Sequence, residues 1–292
     1  YLDVDEKEVE FARNTHAELM ALSRRKHYNN SKNLIMYVYR ETKNNEPVIS
    51  EPCPICKKMM KEFIYGQYGA DVLKDSNLLI VNSRFMSEFC RAHVPNVPRV
   101  VVYPPLDYIP TCQSHIDLPL TVSMVGTRPE KGVSIVEGLA EFFPHWKFRI
   151  IGLPHDQVNR GNENQNIEFL GWVDAKEEFR NVSDVVLVPS LWPEPFGRVA
   201  AEALAAGKIP IVSNQGGLPE AVGFEEELII EESSIEAWRA RLRKLEYNPL
   251  PFEEAASRAC RNLKNYSIRN QGNELEEALR GVLKEYARQS ET

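Results

Sequence analysis

The sequence of 292 residues has no long hydrophobic run. Its apolar stretches, such as residues 184–189, are five or six residues long. A helix that spans a membrane needs roughly 20 apolar residues, so we expect no transmembrane helix. The chain begins with Tyr1 and shows no charged-then-apolar signal segment. We therefore expect a chain that was trimmed at its start.

The sequence also has few cysteines and no excess of positive charge. Five cysteines, an odd number, in a chain without a signal segment predict reduced thiols in a cytoplasmic protein and no disulfide scaffold. The net charge is -7, and residues 113–292 carry 20 basic against 28 acidic side chains. Because a nucleic-acid groove requires a basic stripe, we expect no nucleic-acid partner.

Cys53 and Cys56 have the spacing of a redox or zinc motif, but no second cysteine pair or nearby histidine completes a metal site. Packing of the thiols in a core is the favoured interpretation. A helix over 54–66 would place three lysines on its polar face, namely Lys57, Lys58 and Lys61. A solvated face is favoured there, and peripheral contact with an anionic membrane or an anionic acceptor is the alternative.

What the first part of the sequence does contain is an alternation of β-rich apolar runs with amphipathic stretches. The predicted elements are a helix over 5–27, a strand over 33–39, the helix over 54–66, a strand over 77–81, a helix over 84–93 with Ser83 as its N-cap, and a strand over 99–103. Three prolines in residues 103–110 predict an interdomain linker, with a boundary near residue 113.

The second part repeats the alternation. Strands are predicted over 120–125, 147–151, 167–169, 184–188, 209–212 and 228–230, and helices over 132–142, 175–181, 198–206, 219–222, 234–246, 252–263 and 271–288. Such alternation builds parallel sheets with helices on both faces. The sequence therefore predicts an α/β protein with two doubly wound, Rossmann-like domains over 1–112 and 113–268, followed by a last helical segment, 269–292.

One loop of the second domain is suited to a diphosphate. Parallel sheets bind ligands beyond the carboxyl ends of their strands, near helix N-termini that attract anions. The loop from Val125 to Gly132 ends a strand, opens a helix and carries two cations, Arg128 and Lys131. Gly126 and Gly132 allow a ligand to approach the backbone closely.

A second segment, residues 188–207, carries two carboxylates. Glu194 lies in a loop, and Glu202 lies about one turn into the helix that follows. Carboxylates accept paired hydrogen bonds from neighbouring hydroxyl groups, and the N-terminus of the helix favours phosphate. The two loops together predict a site for a nucleotide sugar. A glycine-containing loop over 213–220 and a loop over 169–173 lie at further strand ends.

These residues resemble the GT-B retaining glycosyltransferases of family 4, the glycosyl transferases group 1. That family carries an Arg/Lys-Gly loop, a Phe-Leu-Gly segment and two glutamates separated by seven residues, which here are Glu194 and Glu202. The resemblance covers residues 80–290. It implies a GT-B fold in which the N-terminal domain is truncated or divergent and the C-terminal helix returns to pack on that domain.

The resemblance also implies roles for particular residues. Arg128 and Lys131 would hold the donor diphosphate, Glu194 would contact the transferred sugar, and Glu202 would bind the ribose hydroxyls. The catalytic candidates are Arg128, Lys131 and Glu194. The further donor-binding candidates are Gly126, Thr127, Leu170, Gly171, Trp172, Ser190, Pro195, Phe196, Gly197 and Arg198. Of these, residues 170–172 would line the base pocket, although a core position is the alternative for Trp172. Phe196 and Gly197 would offer backbone N–H groups to the sugar and phosphate.

Members of the family need no metal, because basic side chains and a helix N-terminus neutralise the leaving diphosphate. The resemblance thus implies no metal and no cofactor besides the nucleotide-sugar substrate. Retention by same-face attack implies that Glu194 is not a nucleophile. The sequence departs from the family in its first half, where Arg40 and Glu41 follow the predicted strand over 33–39 in place of a loop histidine. They are candidate contacts for the acceptor or the donor sugar.

The resulting hypothesis is a retaining transferase of polysaccharide biosynthesis. It would move a hexose from a nucleotide-diphosphate sugar, with UDP favoured by its frequency in the family, to a sugar, lipid-linked or small-molecule acceptor. Within the same architecture, the alternatives are a sugar-nucleotide epimerase and a phosphorylase-like enzyme. A non-catalytic protein that binds nucleotide sugars is the alternative from another class.

Overall fold

The computed structural model describes residues 20–22, 33–36, 76–106, 110, 112, 115–116, 118–152, 166–171 and 173–290. These residues form two compact units. One unit joins the residues up to Pro104 with those from Ile268 onward, and the other comprises Pro105–Ser267. Each unit has a β-sheet with helices packed on it, so the predicted α/β class is confirmed.

The first unit contains a four-stranded sheet in the order β1-β2-β3-β4. Its strands are β1 (Met20–Leu22), β2 (Asn33–Met36), β3 (Ser76–Val81) and β4 (Arg99–Val101). The strands β2, β3 and β4 are parallel, as the alternation predicts. β1 runs antiparallel to β2.

The strand β1 corrects the sequence prediction of a helix over 5–27. Met20 lies opposite Met36, and Leu22 lies opposite Leu34. The backbone of this segment therefore pairs with β2 along one side in a sheet ladder. A pairing partner 16 residues away in the sequence does not show in helical periodicity. The rest of the predicted 5–27 helix and the whole predicted helix over 54–66 lie outside the described residues.

The helix α1 (Arg84–His93) covers one face of this sheet. The Ser83 Oγ atom accepts a hydrogen bond from the backbone N of Met86 at 3.0 Å, which confirms the predicted N-cap. The other face is covered by the final helix of the chain, Ile268–Ser290, whose apolar side chains pack on Leu78 and Ile80. These side chains are Leu275, Ala278, Leu279 and Val282.

The second unit contains a six-stranded parallel sheet in the order β10-β9-β8-β5-β6-β7. Its strands are β5 (Thr121–Val125), β6 (Lys147–Ile151), β7 (Ile167–Leu170), β8 (Val185–Val188), β9 (Ile209–Ser213) and β10 (Ile229–Ile230). Along the chain, the strands from β5 to β7 extend the sheet toward one edge, and those from β8 to β10 extend it toward the other edge. The order of the strands therefore reverses between β5 and β8.

Helices alternate with these strands along the chain. They are α2 (Val133–Phe142), α3 (Ala175–Asn181), α4 (Arg198–Ala205), α5 (Leu218–Ala221), α6 (Ile235–Tyr247) and α7 (Leu250–Asn262), so the final helix Ile268–Ser290 is α8. The strands β5, β8 and β9 are buried almost throughout, which explains their largely apolar sequences. The predicted second doubly wound sheet is confirmed.

Cys112 and Cys260 form a disulfide, so the prediction of reduced thiols is wrong for this pair. The two cysteines are 148 residues apart in the sequence. Cys260 lies in α7, and Cys112 lies near the start of the second unit. An odd cysteine count gives no information about which cysteines the fold brings together. Disulfides persist mainly in oxidising compartments, so the thiol argument for a cytoplasmic location is lost.

Within the described part of the chain, no helix is both long and apolar enough to cross a membrane.

Candidate functional site

The reversal of strand order places two loops side by side. β5 and β8 are neighbours, with Met124 opposite Leu187, and both strands end at the same edge of the sheet. The chain leaves β5 through residues 126–132 and leaves β8 through residues 189–197. In open parallel sheets, such a point of divergence at the carboxyl ends is where ligands bind.

The loop after β5 meets the loop after β8 through Gly132. This residue has φ +79°, ends a 3₁₀ turn over Pro129–Lys131 and precedes α2. A Cβ atom on Gly132 would lie 2.0 Å from the carbonyl oxygen of Pro189. Only glycine permits this approach, and the two loops are therefore in direct backbone contact.

Lys131 and Glu194 join the two loops through their side chains. Lys131 Nζ lies 2.5 Å from Glu194 Oε1, although the residues are 63 positions apart in the sequence. Lys131 Nζ also lies 5.6 Å from the ring centroid of Trp192. The other predicted cation, Arg128, lies 2.9 Å from Glu130 of its own loop. The structure thus brings a cation and the first glutamate of the motif into one cluster.

Glu194 is buried, with 9% of its surface exposed, and several donors surround its carboxylate. Besides Lys131, Ser190 Oγ donates a hydrogen bond to Glu194 Oε1 at 2.6 Å, and Trp192 Nε1 donates to the same atom at 3.2 Å. A buried polar group without such partners would be costly, so these contacts hold the carboxyl group in place.

The loop after β9 supports the backbone of Glu194. The backbone N of Gly217 donates a hydrogen bond to the carbonyl oxygen of Glu194 at 2.7 Å. A Cβ atom on Gly216 would lie 2.2 Å from that same oxygen. The glycines of the predicted 213–220 loop therefore allow its backbone to pack against the motif loop.

Glu202 lies in the buried helix α4, with 5% of its surface exposed. Arg198, one turn earlier, donates from Nε to Glu202 Oε1 at 2.5 Å. Gly197 is the N-cap of α4, and the preceding Phe196 is buried against Tyr266 with ring centroids 5.6 Å apart. The N-terminus of α4 adds the partial positive charge of a helix end at the same edge of the sheet as Lys131.

The remaining predicted donor residues are less closely grouped. Gly126 donates its N–H to the carbonyl oxygen of Ile151 at 2.8 Å, and Thr127 beside it is half-buried. Pro195 is half-buried in the motif loop. Leu170 ends β7 and Gly171 is buried after it, two strands away from β5.

Three predicted residues lie outside the described residues, namely Trp172, Arg40 and Glu41, and so do Cys53 and Cys56. Among the residues that the structure describes, no three His, Cys, Asp or Glu side chains are grouped to hold a metal ion. Metal independence stays a prediction.

Sequence reasoning did not assign a role to Trp192 or Ser213. Trp192 donates to Glu194, and Ser213 Oγ donates to the carbonyl oxygen of Ser190 at 2.7 Å. Their positions in the sequence were the only indication of a role. Trp192 lies two residues before the first glutamate, and Ser213 is the last residue of β9. The hydrogen bond of Ser213 depends on the neighbouring strand β8, and that of Trp192 depends on the conformation of its own loop.

A family model described as "Glycosyl transferases group 1" matches residues 118–267 of the chain. The match covers the second unit, from just before β5 to the residue before α8. It contains both loops of the cluster and both glutamates.

Among curated proteins, a D-inositol 3-phosphate glycosyltransferase of Rhodococcus opacus (strain B4) is 35% identical over 108 residues, which are 37% of this chain and 24% of that protein. A lipopolysaccharide 1,2-N-acetylglucosaminetransferase of Salmonella typhimurium is 45% identical over 49 residues, which are 17% of this chain and 13% of that protein. The matched segments thus span less than a quarter of each of these relatives.

Solved structures share the fold at low sequence identity. A sucrose-phosphate synthase from Thermosynechococcus elongatus has a TM-score of 0.60 and 19% identity, with 81% of this chain and 64% of that chain covered. Anabaena HepE in complex with UDP-glucose has a TM-score of 0.61 and 18% identity, with 74% of this chain and 67% of that chain covered. The likeness confirms the expected GT-B fold.

Proposed function

The chain belongs to the glycosyl transferases group 1 family, and from this premise we propose that it transfers a hexose from a nucleotide-diphosphate sugar with retention of configuration. The donor is UDP-linked, and the acceptor is a glycan, a lipid-linked sugar or a small molecule. The reaction uses no metal. The solved HepE complex with UDP-glucose supports the choice of donor.

The observation that carries this proposal is the contact between Lys131 and Glu194 at the carboxyl ends of β5 and β8. It unites a cation that suits a diphosphate with a carboxylate that suits sugar hydroxyls. The contact lies where doubly wound sheets bind their ligands. A cation and a carboxylate from loops 63 residues apart meet there, beside the N-terminus of α4.

In the proposed reaction, an acceptor hydroxyl forms a bond to the anomeric carbon as the bond from that carbon to the diphosphate breaks. The acceptor proton passes to the departing phosphate oxygen on the same face, and the nucleoside diphosphate leaves. Lys131, Arg128 and the N-terminus of α4 stabilise the negative charge that develops on the diphosphate. Glu194 holds a hydroxyl of the transferred sugar, and Glu202 holds the ribose.

A screen of nucleotide sugars against the chain tests this proposal. A donor present at 100 times its dissociation constant should raise the free energy of unfolding by about 2.7 kcal/mol, which thermal shift detects. The donor that binds is then incubated with candidate acceptors, and the product is identified by mass spectrometry. NMR of the anomeric proton reports retention, and unchanged activity in EDTA reports metal independence.

Other results would support other functions. An epimerised nucleotide sugar without a glycoside product would identify an epimerase, and strict dependence on inorganic phosphate would identify a phosphorylase-like enzyme. Tight donor binding with neither transfer nor slow donor hydrolysis would identify a non-catalytic binding protein.

The acceptor side stays a prediction. Arg40 and Glu41 are proposed to contact the acceptor or the donor sugar, and the basic face over 54–66 is the candidate for a peripheral membrane contact. A cytoplasmic location is proposed because nucleotide sugars are the substrates. Fractionation of cells that express the chain, with and without a high-salt wash, tests both the location and the membrane contact.

A further inference from the structure

The carboxylate of Glu194 is held unevenly. Its Oε1 atom accepts hydrogen bonds from Lys131 Nζ at 2.5 Å, Ser190 Oγ at 2.6 Å and Trp192 Nε1 at 3.2 Å. Within the described ranges, no hydrogen bond reaches Oε2. A carboxylate oxygen offers about two lone pairs, so three donors saturate Oε1. Oε2 is the oxygen that can accept a hydrogen bond from a ligand.

The donors of Oε1 are themselves fixed. Ser190 is fully buried, and its carbonyl oxygen accepts a hydrogen bond from Ser213 Oγ at 2.7 Å. Ser213 is also buried and lies at the carboxyl end of β9. Donors from the loops after β5 and β8 therefore converge on one oxygen atom of Glu194, and the end of the neighbouring strand β9 supports one of these donors.

We propose that Trp192 and Ser213 are positioning residues that fix the rotation of the Glu194 carboxylate, so that Oε2 meets a hydroxyl of the transferred sugar. Trp192 acts directly through its indole N–H, and its ring also lies beside Lys131 Nζ. Ser213 acts through Ser190. This inference rests on the proposed function, since it assigns the geometry of the sugar subsite in that donor site.

The variant Trp192→Phe tests the direct contact, because phenylalanine keeps an aromatic face for Lys131 and lacks the N–H donor. Calorimetry with UDP and with UDP-glucose separates the nucleotide from the sugar. We expect the Kd for UDP to change less than twofold and the Kd for UDP-glucose to rise about tenfold, the usual effect of one hydrogen bond to a charged group. Leu191→Ala, at the exposed neighbouring residue, is the control that leaves both values unchanged.

A double-mutant cycle decides whether Trp192 acts through Glu194. In a Glu194→Ala background, Trp192→Phe should change the Kd for UDP-glucose less than twofold, because the group that it positions is gone. Ser213→Ala should also weaken UDP-glucose selectively, and Ser213→Thr, which keeps the hydroxyl group, should restore its affinity. Thermal unfolding of each variant in the absence of ligand measures any general loss of structure.

The outcomes separate this inference from the proposed function. If UDP-glucose binds but Trp192→Phe and Glu194→Ala act additively, the positioning role is wrong and the donor site stands. Equal weakening of UDP and UDP-glucose by Trp192→Phe also overturns the positioning role. If no UDP-, GDP- or ADP-linked sugar binds the wild-type chain, both the inference and the proposed function are overturned.

Discussion

The variant Gly132→Ala tests whether the contact between the two donor loops is as tight as the structure shows. The new Cβ atom would lie 2.0 Å from the Pro189 oxygen and 2.9 Å from the Pro189 carbonyl carbon. Both atoms belong to the backbone, so no side-chain rotation can relieve the overlap. The loops must separate by about 1 Å before the contact becomes acceptable.

Two energy terms add up in this variant. A left-handed backbone at φ +79° costs a non-glycine residue about 1 kcal/mol, and overpacking costs about 1–3 kcal/mol more. We therefore expect a loss of about 2–4 kcal/mol in the free energy of unfolding. A shift of about 1 Å between Lys131 and Glu194 should also reduce donor turnover by roughly 10²-fold.

Urea unfolding, donor titration and donor turnover measure these effects. Gly223→Ala is the matched control, because Gly223 has φ +66° but its added Cβ would meet no atom closer than 3.4 Å. It should lose only about 1 kcal/mol and bind donor normally. Gly272→Ala, with nothing within 4 Å of the new Cβ in α8, should be neutral or slightly stabilising. If Gly132→Ala matches Gly223→Ala in stability and donor turnover, the two donor loops are not in tight backbone contact at Gly132.

Three further predictions concern other residues. Glu202→Ala should weaken UDP binding in calorimetry by about tenfold or more, because Glu202 is the glutamate assigned to the nucleotide. Glu194→Ala should leave UDP binding nearly unchanged and lower both the affinity for UDP-glucose and the turnover. Cys112→Ser should lower the free energy of unfolding by up to about 5 kcal/mol, because the disulfide to Cys260 closes a long loop. Burial raises the pKa of the Cys90 thiol from 9.0 to about 11, against a smaller opposing effect of the charge on Arg99. The neutral thiol therefore contributes stability below pH 9, and this contribution should disappear between pH 9 and 11.

Each of these predictions has its own control. Glu178→Ala removes a similarly buried glutamate, paired with Arg149 outside the site, and should leave UDP binding unchanged. Reduction of the wild-type chain should reproduce the effect of Cys112→Ser, and an unchanged unfolding curve on reduction would contradict a structural disulfide. For Cys90, the stability difference between wild type and Cys90→Ser should fall as pH rises from 9 to 11, and a constant difference would exclude the thiol as the cause.

The second unit could be predicted from the sequence because its signals are local. Buried parallel strands give continuous apolar runs, so β8, Val185–Val188, could be predicted to within one residue, as 184–188. Helix boundaries in this unit follow capping residues and glycines, as at Gly197 before α4. For such elements, the residues that determine the structure lie within the element itself.

Non-local pairings could not be predicted in the same way. Residues 20–22 fit a helical pattern, and only their partners in β2 make them a strand. The disulfide joins cysteines 148 residues apart, and no spacing rule connects Cys112 with Cys260. One sequence does not show which distant segments become neighbours.

The candidate site shows the same division. Glu194 and Glu202 could be found because their motif is contiguous, and Lys131 because its loop carries its own signal. The contact between Lys131 and Glu194 depends on β5 and β8 being neighbours, which the order of elements along the chain does not give. The supporting hydrogen bond from Ser213 depends in turn on β9 lying beside β8.

Calorimetric titration of UDP and of uridine against the wild-type chain and Lys131→Met shows whether the loops after β5 and β8 bind a nucleoside diphosphate. We expect UDP to bind the wild-type chain at least tenfold more tightly than uridine does, and Lys131→Met to remove most of this difference without changing uridine binding. Equal affinity for UDP and uridine, or an unchanged UDP affinity in Lys131→Met, would mean that these loops do not bind the diphosphate.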